Sequence, residues 1–416
     1  MSDARDPSRP RILLTEGSSL SARETITALG LAGHRVELVS SEAACLGRFS
    51  RFVRHVHPAP PCGEDPEGYL AAVLGVVTRA EIDVLMPVHE QAYLLAAARH
   101  RLPETLGIAL ADFEAFEQVQ SKTGLARLLA RLDVPQPATE VVFSPAGLAA
   151  RRDFPLYVKA PFGTASGGVW RVEDAIHGAD VARELDRRGL FQDGVVVQTA
   201  LDGPLERAQA VFDHGRLVAF HSYRQIAAGP GGGDVLKVSV SCPAAQAHVA
   251  RIGRALRWRG ALSFDYIADA ASGAPAFIDA NPRLVEPMNA WFSGVDLAGA
   301  LLRVSLGEAP PAQPQAREGV VTRLGLMGLM DAASRRGRRS DVLRELALLA
   351  GGAGRYGGSI EELVPLGTDL LCMAPLAVVL GRLLWSPGSA SALSRGAVEA
   401  YSLTPAAIER VRGWRA

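Results

Sequence analysis

Two aspartates offer oxygen ligands of the kind that a divalent metal binds. Asp265 and Asp279 lie in two apolar, strand-like runs separated by a turn centred near Ser272, so they fall opposite each other in a predicted hairpin. Facing side chains on paired strands lie about 5 Å apart at Cβ, and two carboxylates there repel unless a cation lies between them. The pattern therefore predicts a metal site at this pair.

The residues after Asp279 extend the predicted site. Strand alternation places Asp279, Asn281 and Arg283 on one face, so the amide oxygen of Asn281 joins the carboxylates. Such ligands suit Mg²⁺, or Mn²⁺, held by few protein groups together with nucleotide phosphates. Arg283 is placed to stabilise an oxyanion or a transferring phosphoryl group. The alternative is a solvated hairpin whose polar residues face water.

Lysine is rare in this chain, which makes each lysine a candidate. Only three of the 44 basic residues are lysines, at positions 122, 159 and 237. An ammonium is a compact point charge suited to phosphate, and Arg is not its equivalent there. Lys122 follows Ser121 at the start of a predicted helix, where the helix dipole favours an anion. Lys237 follows a glycine-rich stretch, residues 229–233, interpreted as a flap that brings it to substrate or to the γ-phosphate. A surface position is the alternative for all three.

Lys159 ends a predicted strand and precedes a loop of small residues and hydroxyls. Backbone N–H groups of such a loop can close over phosphate oxygens, because glycines permit the required turn. A plain flexible turn is the alternative. The loop consists of Gly163, Thr164, Ala165, Ser166, Gly167 and Gly168.

A third group of residues is suited to bind substrate. His89 and Glu90 follow a predicted strand at its carboxyl end, where open α/β sheets bind ligands. Arg224 is a candidate for a substrate carboxylate, and Glu90 or Glu286 for an ammonium, with Asn289 nearby. Together they favour a zwitterionic amino acid as one substrate. The alternative makes Arg224 part of a surface salt bridge and His89 and Glu90 a helix N-terminal cap.

The elements that position these residues change character along the chain. Residues 11–99 alternate between strands and helices, which predicts a parallel α/β unit. The first turn lacks Gly-x-Gly-x-x-Gly, so no dinucleotide site is predicted. Residues 156–222 and 261–279 read as antiparallel hairpins, a helix follows at 297–306, and the proline-rich residues 308–315 resemble a linker.

Composition excludes several classes of protein. A chain of 416 residues predicts two or three subdomains, and 44 basic against 44 acidic residues give no field for nucleic acid. Four scattered cysteines and a polar N-terminus favour a reduced, cytoplasmic compartment. The apolar run at 370–380 is too short to span a membrane and is expected to be a buried helix, with peripheral membrane contact as the alternative.

The order of these motifs resembles the ATP-grasp superfamily of carboxylate-amine ligases, which includes enzymes like the carbamoyl-phosphate synthase large subunit. The resemblance covers residues 11–306 and rests on Lys122, Lys159 with its loop, VVVQTALDGPLE and FDY…FIDANPR. It implies a mixed α/β and α+β fold. The implied domains are a Rossmann-like pre-ATP-grasp domain (1–115), an antiparallel small subdomain or lid (116–200), a large subdomain with the metal site (201–308) and a small C-terminal accessory domain (309–416).

The resemblance also implies a role for each motif, with ATP and Mg²⁺ as cofactors. Lys122 and Lys159 would contact the α- and β-phosphates, and the loop from Gly163 to Gly168 would cover the β- and γ-phosphates. Arg283 would face an acyl-phosphate, with Lys237 and Arg224 as further candidates for the reacting groups. The adenine would lie at Val197, Gln198, Thr199 and Leu201, the ribose at Glu206, and Mg²⁺ at Asp265, Asp279 and Asn281.

Two features depart from the family pattern. Members often carry Glu where this chain has Asp265 and Asp279, and the stretch LVEPMNAWFSGVDL does not reproduce that of the biotin-carboxylating members. We therefore expect an ATP-dependent ligase that activates a small-molecule carboxylate and joins it to an amine, with a homodimer left open. ATP-driven carboxylation or phosphoryl transfer, and a non-catalytic ATP sensor, are the alternatives.

Overall fold

The computed structural model describes residues 9–163, 167–363, 367–399 and 401–415. The strands are β1 (Ile12–Leu14), β2 (Val36–Ser40), β3 (Val53–Pro58), β4 (Val84–Met86), β5 (Thr139–Val142), β6 (Leu156–Lys159), β7 (Val169–Val172), β8 (Val195–Thr199), β9 (Leu205–Asp213), β10 (Arg216–Ala228), β11 (Asp234–Ser239), β12 (Gly260–Ala268), β13 (Pro275–Asn281), β14 (Val321–Arg323) and β15 (Ile360–Glu361). The α-helices are α1 (Leu20–Leu31), α2 (Pro66–Arg79), α3 (Gln91–Ala97), α4 (Phe113–Gln120), α5 (Lys122–Arg131), α6 (Pro145–Ala149), α7 (Ala175–Arg187), α8 (Pro243–Ala255), α9 (Met288–Phe292), α10 (Leu297–Ser305), α11 (Gly325–Arg336), α12 (Arg339–Gly351), α13 (Met373–Trp385), α14 (Ala390–Glu399) and α15 (Pro405–Arg412).

The N-terminal strands form a parallel sheet in the order β3-β2-β1-β4. All three residues of β1 are fully buried, as expected for a central strand covered on both faces. The predicted parallel α/β unit is confirmed, with β3 and α2 as additional members. The carboxyl ends of β1 and β4 lead directly to Glu16 and His89.

A second, antiparallel sheet has the order β5-β8-β6-β7 and its own apolar core. The β6–β7 hairpin carries Lys159 and the glycine-rich loop at one end of this sheet. Thr164, Ala165 and Ser166 of that loop lie outside the described residues.

The central sheet has seven strands in the order β13-β12-β9-β10-β11-β14-β15. The predicted hairpins are confirmed, since β9 pairs with β10 and β12 with β13 in antiparallel register. Strands β14 and β15 come from beyond residue 309, so the C-terminal segment contributes to the same sheet as the predicted metal hairpin.

The apolar run at 370–380 is not a buried helix, and that prediction is wrong. A short 3₁₀ turn, in which Leu371 and Leu370 (71%) are exposed, leads into α13, where Val378 and Trp385 (84%) are exposed. Only one side of α13 packs against neighbours, with Leu383 buried. Over the described ranges, no helix has both the length and the apolar character required to cross a membrane.

Candidate active site

Asp265 and Asp279 are directly paired across β12 and β13, as the sequence predicted. Each carboxylate already has a cationic neighbour. Lys122 Nζ lies 2.6 Å from Asp279, and Arg207 Nε lies 3.1 Å from Asp265. Burial raises the pKa of Asp265, whereas Lys122 and Lys159 outweigh the effect of burial on Asp279 and lower its pKa. Asp279 is therefore ionised at neutral pH.

Arg207 was missed by the sequence analysis. It lies on β9 and pairs with Asp234 at 2.5 Å as well as with Asp265. Tyr223 Oη donates a hydrogen bond to Asp234 at 3.0 Å, which anchors the network on β10 and β11. Strand alternation puts Arg207 and its neighbour Glu206 on opposite faces of β9, but it is the pairing of β9 with β12 that brings Arg207 to Asp265.

The three lysines are all buried, at 8%, 5% and 0% exposure for Lys122, Lys159 and Lys237. The surface alternative is therefore wrong for all of them. Lys122 is the first residue of α5, whose cap is the Ser121 side chain accepting from Gly124 N–H. Lys159 Nζ donates to the carbonyl of Ile278 at 2.6 Å, beside Asp279. Burial lowers the pKa of Lys159 to about 8, partly opposed by Asp279.

The glycine-rich loop after Lys159 is closely packed at its base. Ala160 N–H donates to Gly168 O at 2.8 Å, and Gly168 adopts φ +84°, a conformation that favours glycine. A Cβ on Gly163 would lie 2.0 Å from the carbonyl of Gly167, so glycine is required there. The two ends of the loop are therefore held together next to Lys159.

The residues expected at the adenine and ribose lie where β8 leads into β9. Gln198 is buried and donates to Thr139 Oγ1 at 3.0 Å, while Val197 packs into the core of the small sheet. Thr199 ends β8, and Leu201 follows it at the surface edge. Glu206 is buried, accepts from Tyr266 Oη at 2.8 Å and pairs with Arg224 at 2.7 Å.

Arg283 lies where the central sheet meets α1. Its guanidinium donates to Asn281 Oδ1 at 3.2 Å and to Ser21 Oγ at 3.3 Å. Asn281 Oδ1 is thus turned towards Arg283 in this structure. Burial lowers the pKa of Arg283, an effect opposed by Glu90 and other nearby acids.

Lys237 is not on a flap. The glycine stretch at 229–233 is a tight turn closed by Gly229 N–H donating to Gly233 O at 2.7 Å, and Lys237 lies in the middle of β11. Its ammonium is 2.7 Å from Glu286 and 2.8 Å from Glu362. Glu24 completes a group whose carboxylate oxygens lie within 4.8 Å of one another. Burial and Glu362 together raise the pKa of Glu24 well above its usual value.

His89 and Glu90 are buried at the carboxyl end of β4. The His89 ring packs 3.9 Å from the ring of Tyr401, and burial lowers its pKa well below the usual value, so it is neutral. Glu90 is the N-cap residue that precedes α3, but its side chain makes no cap hydrogen bond, and its Oε2 accepts from Leu403 N–H at 3.0 Å. The capping alternative is therefore confirmed for the position of Glu90 and wrong for its side chain, which binds the C-terminal segment.

Two other substrate candidates have partners within the protein. Asn289 is fully buried, donates to Thr322 Oγ1 at 2.7 Å and lies 2.8 Å from His221 Nε2. We therefore do not propose that it binds substrate. Arg224 lies in the middle of β10 rather than at its end, and it forms the salt bridge with Glu206 that was the alternative. The partners of both residues are set by packing between elements that are distant in the sequence.

Comparisons with known proteins reveal the fold. No protein-family model matches the chain, and no curated protein matches it in sequence. Biotin carboxylase from Campylobacter jejuni, solved as a β-γ-ATP complex, is 16% identical with a TM-score of 0.59 over 76% of this chain and 75% of that one. N5-carboxyaminoimidazole synthetase from Staphylococcus aureus, complexed with ADP, is 12% identical with a TM-score of 0.59 over 76% and 83%.

An L-amino acid ligase from Bacillus licheniformis also matches, at 18% identity and a TM-score of 0.55 over 73% of this chain and 78% of that one. All three are ATP-grasp enzymes, and the chain described here has the ATP-grasp fold. The predicted combination of parallel and antiparallel sheets is confirmed.

Proposed function

We propose that this protein is an ATP-dependent ligase that activates a small-molecule carboxylate as an acyl-phosphate and joins it to an amine. The observation that carries the proposal is the convergence of Lys122 and Lys159 on Asp279, opposite Asp265. Two elements from different parts of the chain deliver these ammonium groups to one carboxylate. Opposed carboxylates beside buried ammonium groups suit a metal-bound polyphosphate, because each charge of the phosphate finds a partner.

The two aspartates fit Mg²⁺. The two residues are directly paired across neighbouring strands, and Asp279 is ionised because Lys122 and Lys159 lower its pKa. Asn281 adds an amide oxygen on the same strand. Bound at these residues, the ion would neutralise charge on the nucleotide phosphates. Lys122 and Lys159 would contact the same phosphates from the protein side.

The proposed chemistry needs positioning more than a protein nucleophile. A carboxylate oxygen of the substrate attacks the γ-phosphorus, and the bond to ADP breaks. The neutral amine then attacks the acyl carbon, phosphate leaves with the bonding electron pair, and the proton lost from the nitrogen passes to the departing phosphate. Arg283, held by Asn281 and Ser21, is oriented to stabilise the charge on the acyl-phosphate.

The amine is proposed to be an amino acid. Glu90 and Glu286 supply negative charge near Arg283, as the electrostatic environment of its guanidinium shows. An amino acid presents both a carboxylate and an ammonium, which matches one cation flanked by two acids. Arg224, which pairs with Glu206, is not needed for this arrangement.

ATP-driven carboxylation is the second candidate. Two of the three compared proteins, the biotin carboxylase and the N5-carboxyaminoimidazole synthetase, carry carboxylation in their names. The third is named as an amino acid ligase. The stretch after Arg283 departs from that of biotin-carboxylating members, which favours the ligase.

One experiment separates these candidates. ADP release is measured with Mg²⁺-ATP against pairs of carboxylates and amines, with mass detection of the product, and in parallel with isotopically labelled bicarbonate. ADP release with an amide product supports the proposal. Label incorporation without an amide product would support carboxylation instead, and ATP binding without ADP release under every condition would contradict both.

A further inference from the structure

The last described segment of the chain, residues 401–415, is fastened over the carboxyl end of the N-terminal sheet. Leu403 N–H donates to Glu90 at 3.0 Å, and Thr404 Oγ1 donates to Gly63 O at 2.7 Å. Arg412 forms an ion pair with Glu117 at 2.6 Å. These contacts involve three separate stretches of the N-terminal half. They hold the residues that follow Tyr401 and therefore fix its position.

Tyr401 is the residue of this segment that faces the proposed site. Its ring lies 3.9 Å from the His89 ring at an interplanar angle of 36°, and both residues are buried. The hydroxyl interacts electrostatically with Arg283, Glu16 and Glu286. These charged groups come from the β1–α1 loop and from the stretch after β13, so Tyr401 lies where separate walls of the site meet.

The chemistry of the neighbours identifies what Tyr401 can bind. Arg283 is held by two neutral oxygens, and within the described ranges no carboxylate comes within ion-pair distance of its guanidinium. Burial raises the pKa of Tyr401, so the hydroxyl is a protonated donor at neutral pH. A guanidinium and a phenolic donor close enough to interact electrostatically match a carboxylate, which can accept from both.

We propose that Tyr401 is a specificity-determining residue, whose hydroxyl donates to the substrate carboxylate held by Arg283 and whose ring limits the size of that substrate. This inference rests on the proposed function and assigns a role to the C-terminal segment. Neutral His89 supports the ring without adding charge. The pocket is thus complete only when the C-terminal segment is in place.

The test separates the hydroxyl from the ring. Tyr401→Phe removes the donor and keeps the stacking, and Tyr401→Ala removes both. Tyr356→Phe is the matched control, since Tyr356 is also a buried tyrosine and donates to Glu345 away from this pocket. KM is measured separately for ATP and for the carboxylate of the substrate screen that gives the highest rate of ADP release with wild-type protein.

We expect Tyr401→Phe to raise KM for the carboxylate by about tenfold or more, the loss of one hydrogen bond to a charged group, with KM for ATP unchanged. Tyr401→Ala should also accept bulkier carboxylates, and Tyr356→Phe should leave both KM values unchanged. Unchanged carboxylate KM and unchanged substrate range in both Tyr401 variants would overturn this inference alone. Absence of ADP release by the wild type with every pair would overturn the proposed function and this inference with it.

Discussion

The ammonium of Lys122 lies 2.6 Å from Asp279 and joins the first residue of a helix to an edge strand of the central sheet. The two residues are 157 positions apart in the sequence. Because Lys159 reaches the neighbouring carbonyl from the small sheet, three separate parts of the chain meet at one carboxylate. Substitutions of these residues should therefore impair the reaction with ATP more than any other property of the protein.

Asp279→Asn should abolish ADP formation, with at least a hundredfold loss, because the amide cannot supply an anionic ligand or neutralise two lysines. ADP release and its dependence on Mg²⁺ are the measurements, with circular dichroism to show that the fold is kept. Asp269→Asn is the matched control, since Asp269 lies in the exposed turn of the same hairpin. Undiminished turnover of the wild type in excess EDTA would contradict the metal site.

Lys159 should give the reaction a basic limb in its pH profile. Its pKa of about 8 means that the free enzyme loses this positive charge as pH rises through 8. We expect kcat/KM for ATP to fall above that pH, since kcat/KM reports ionisation in the free enzyme. Lys159→Arg should remain charged and lose this limb, while its rate stays below wild type because the guanidinium has a different geometry. If kcat/KM for ATP still falls above about pH 8 in Lys159→Arg, the fall is due to another group and the prediction is wrong.

Lys237 should be needed for stability as well as for any role with substrate. Lys237→Met leaves Glu286 and Glu362 without their counter-charge in the interior, which should lower the free energy of unfolding by about 3–5 kcal/mol. Urea unfolding measures this loss. The double variant Lys237→Met with Glu362→Gln should recover part of it, because one buried charge is removed. A fully stable Lys237→Met variant would contradict this account.

The same variant should show a pH dependence with a defined sign. The pKa values of Glu24 and Glu362 are raised by burial in the folded protein. A group with a raised folded pKa contributes stability below its unfolded pKa of about 4.3, and that contribution is lost as pH rises through the folded value. Without Lys237 the deficit should therefore be smallest in mild acid and grow towards neutral pH.

Asp369→Ala should destabilise the protein by about 3–5 kcal/mol, because it leaves Arg23 charged and unpaired in the interior. Asp369 accepts from Arg23 at 3.0 Å, from Ser50 Oγ at 2.6 Å and from the backbone N–H of Arg51. Asp180→Ala removes the exposed partner of Arg183 and should change stability by about 0.5 kcal/mol or less. Equal effects of the two substitutions on thermal unfolding would contradict the structural role of Asp369.

The sequence predicted contacts that follow from strand geometry. Residues on either side of a single turn can be counted, so the pairing of Asp265 with Asp279 was accessible. Strand β3 was missed because its sequence, VRHVHP, lies mostly exposed at a sheet edge and lacks an apolar pattern. Helix α13 was expected to be buried because its sequence is apolar. An apolar sequence does not show which surfaces pack against each other.

Contacts between distant elements could not be predicted from the sequence alone. Glu24 and Glu362 reach Lys237 only because α1 and the residues after β15 fold onto β11. Charged residues within a helix whose residues 21–30 are all buried were the signal available, because a buried charge requires a partner. Leu403, whose N–H donates to Glu90, lies 313 residues further along the chain, in a segment to which the sequence assigned no chemistry.

The pairing of Arg23 with Asp369 also has a consequence for synthesis of the chain. Helix α1 leaves the ribosome well before Asp369, because the carboxylate that neutralises its buried guanidinium is made 346 residues later. Until then Arg23 lacks its partner Asp369, and Glu90 lacks the Leu403 N–H from which its side chain accepts. We expect the nascent chain to stay protease-sensitive, and to depend on chaperones, until residues 369 and 403 have been synthesised.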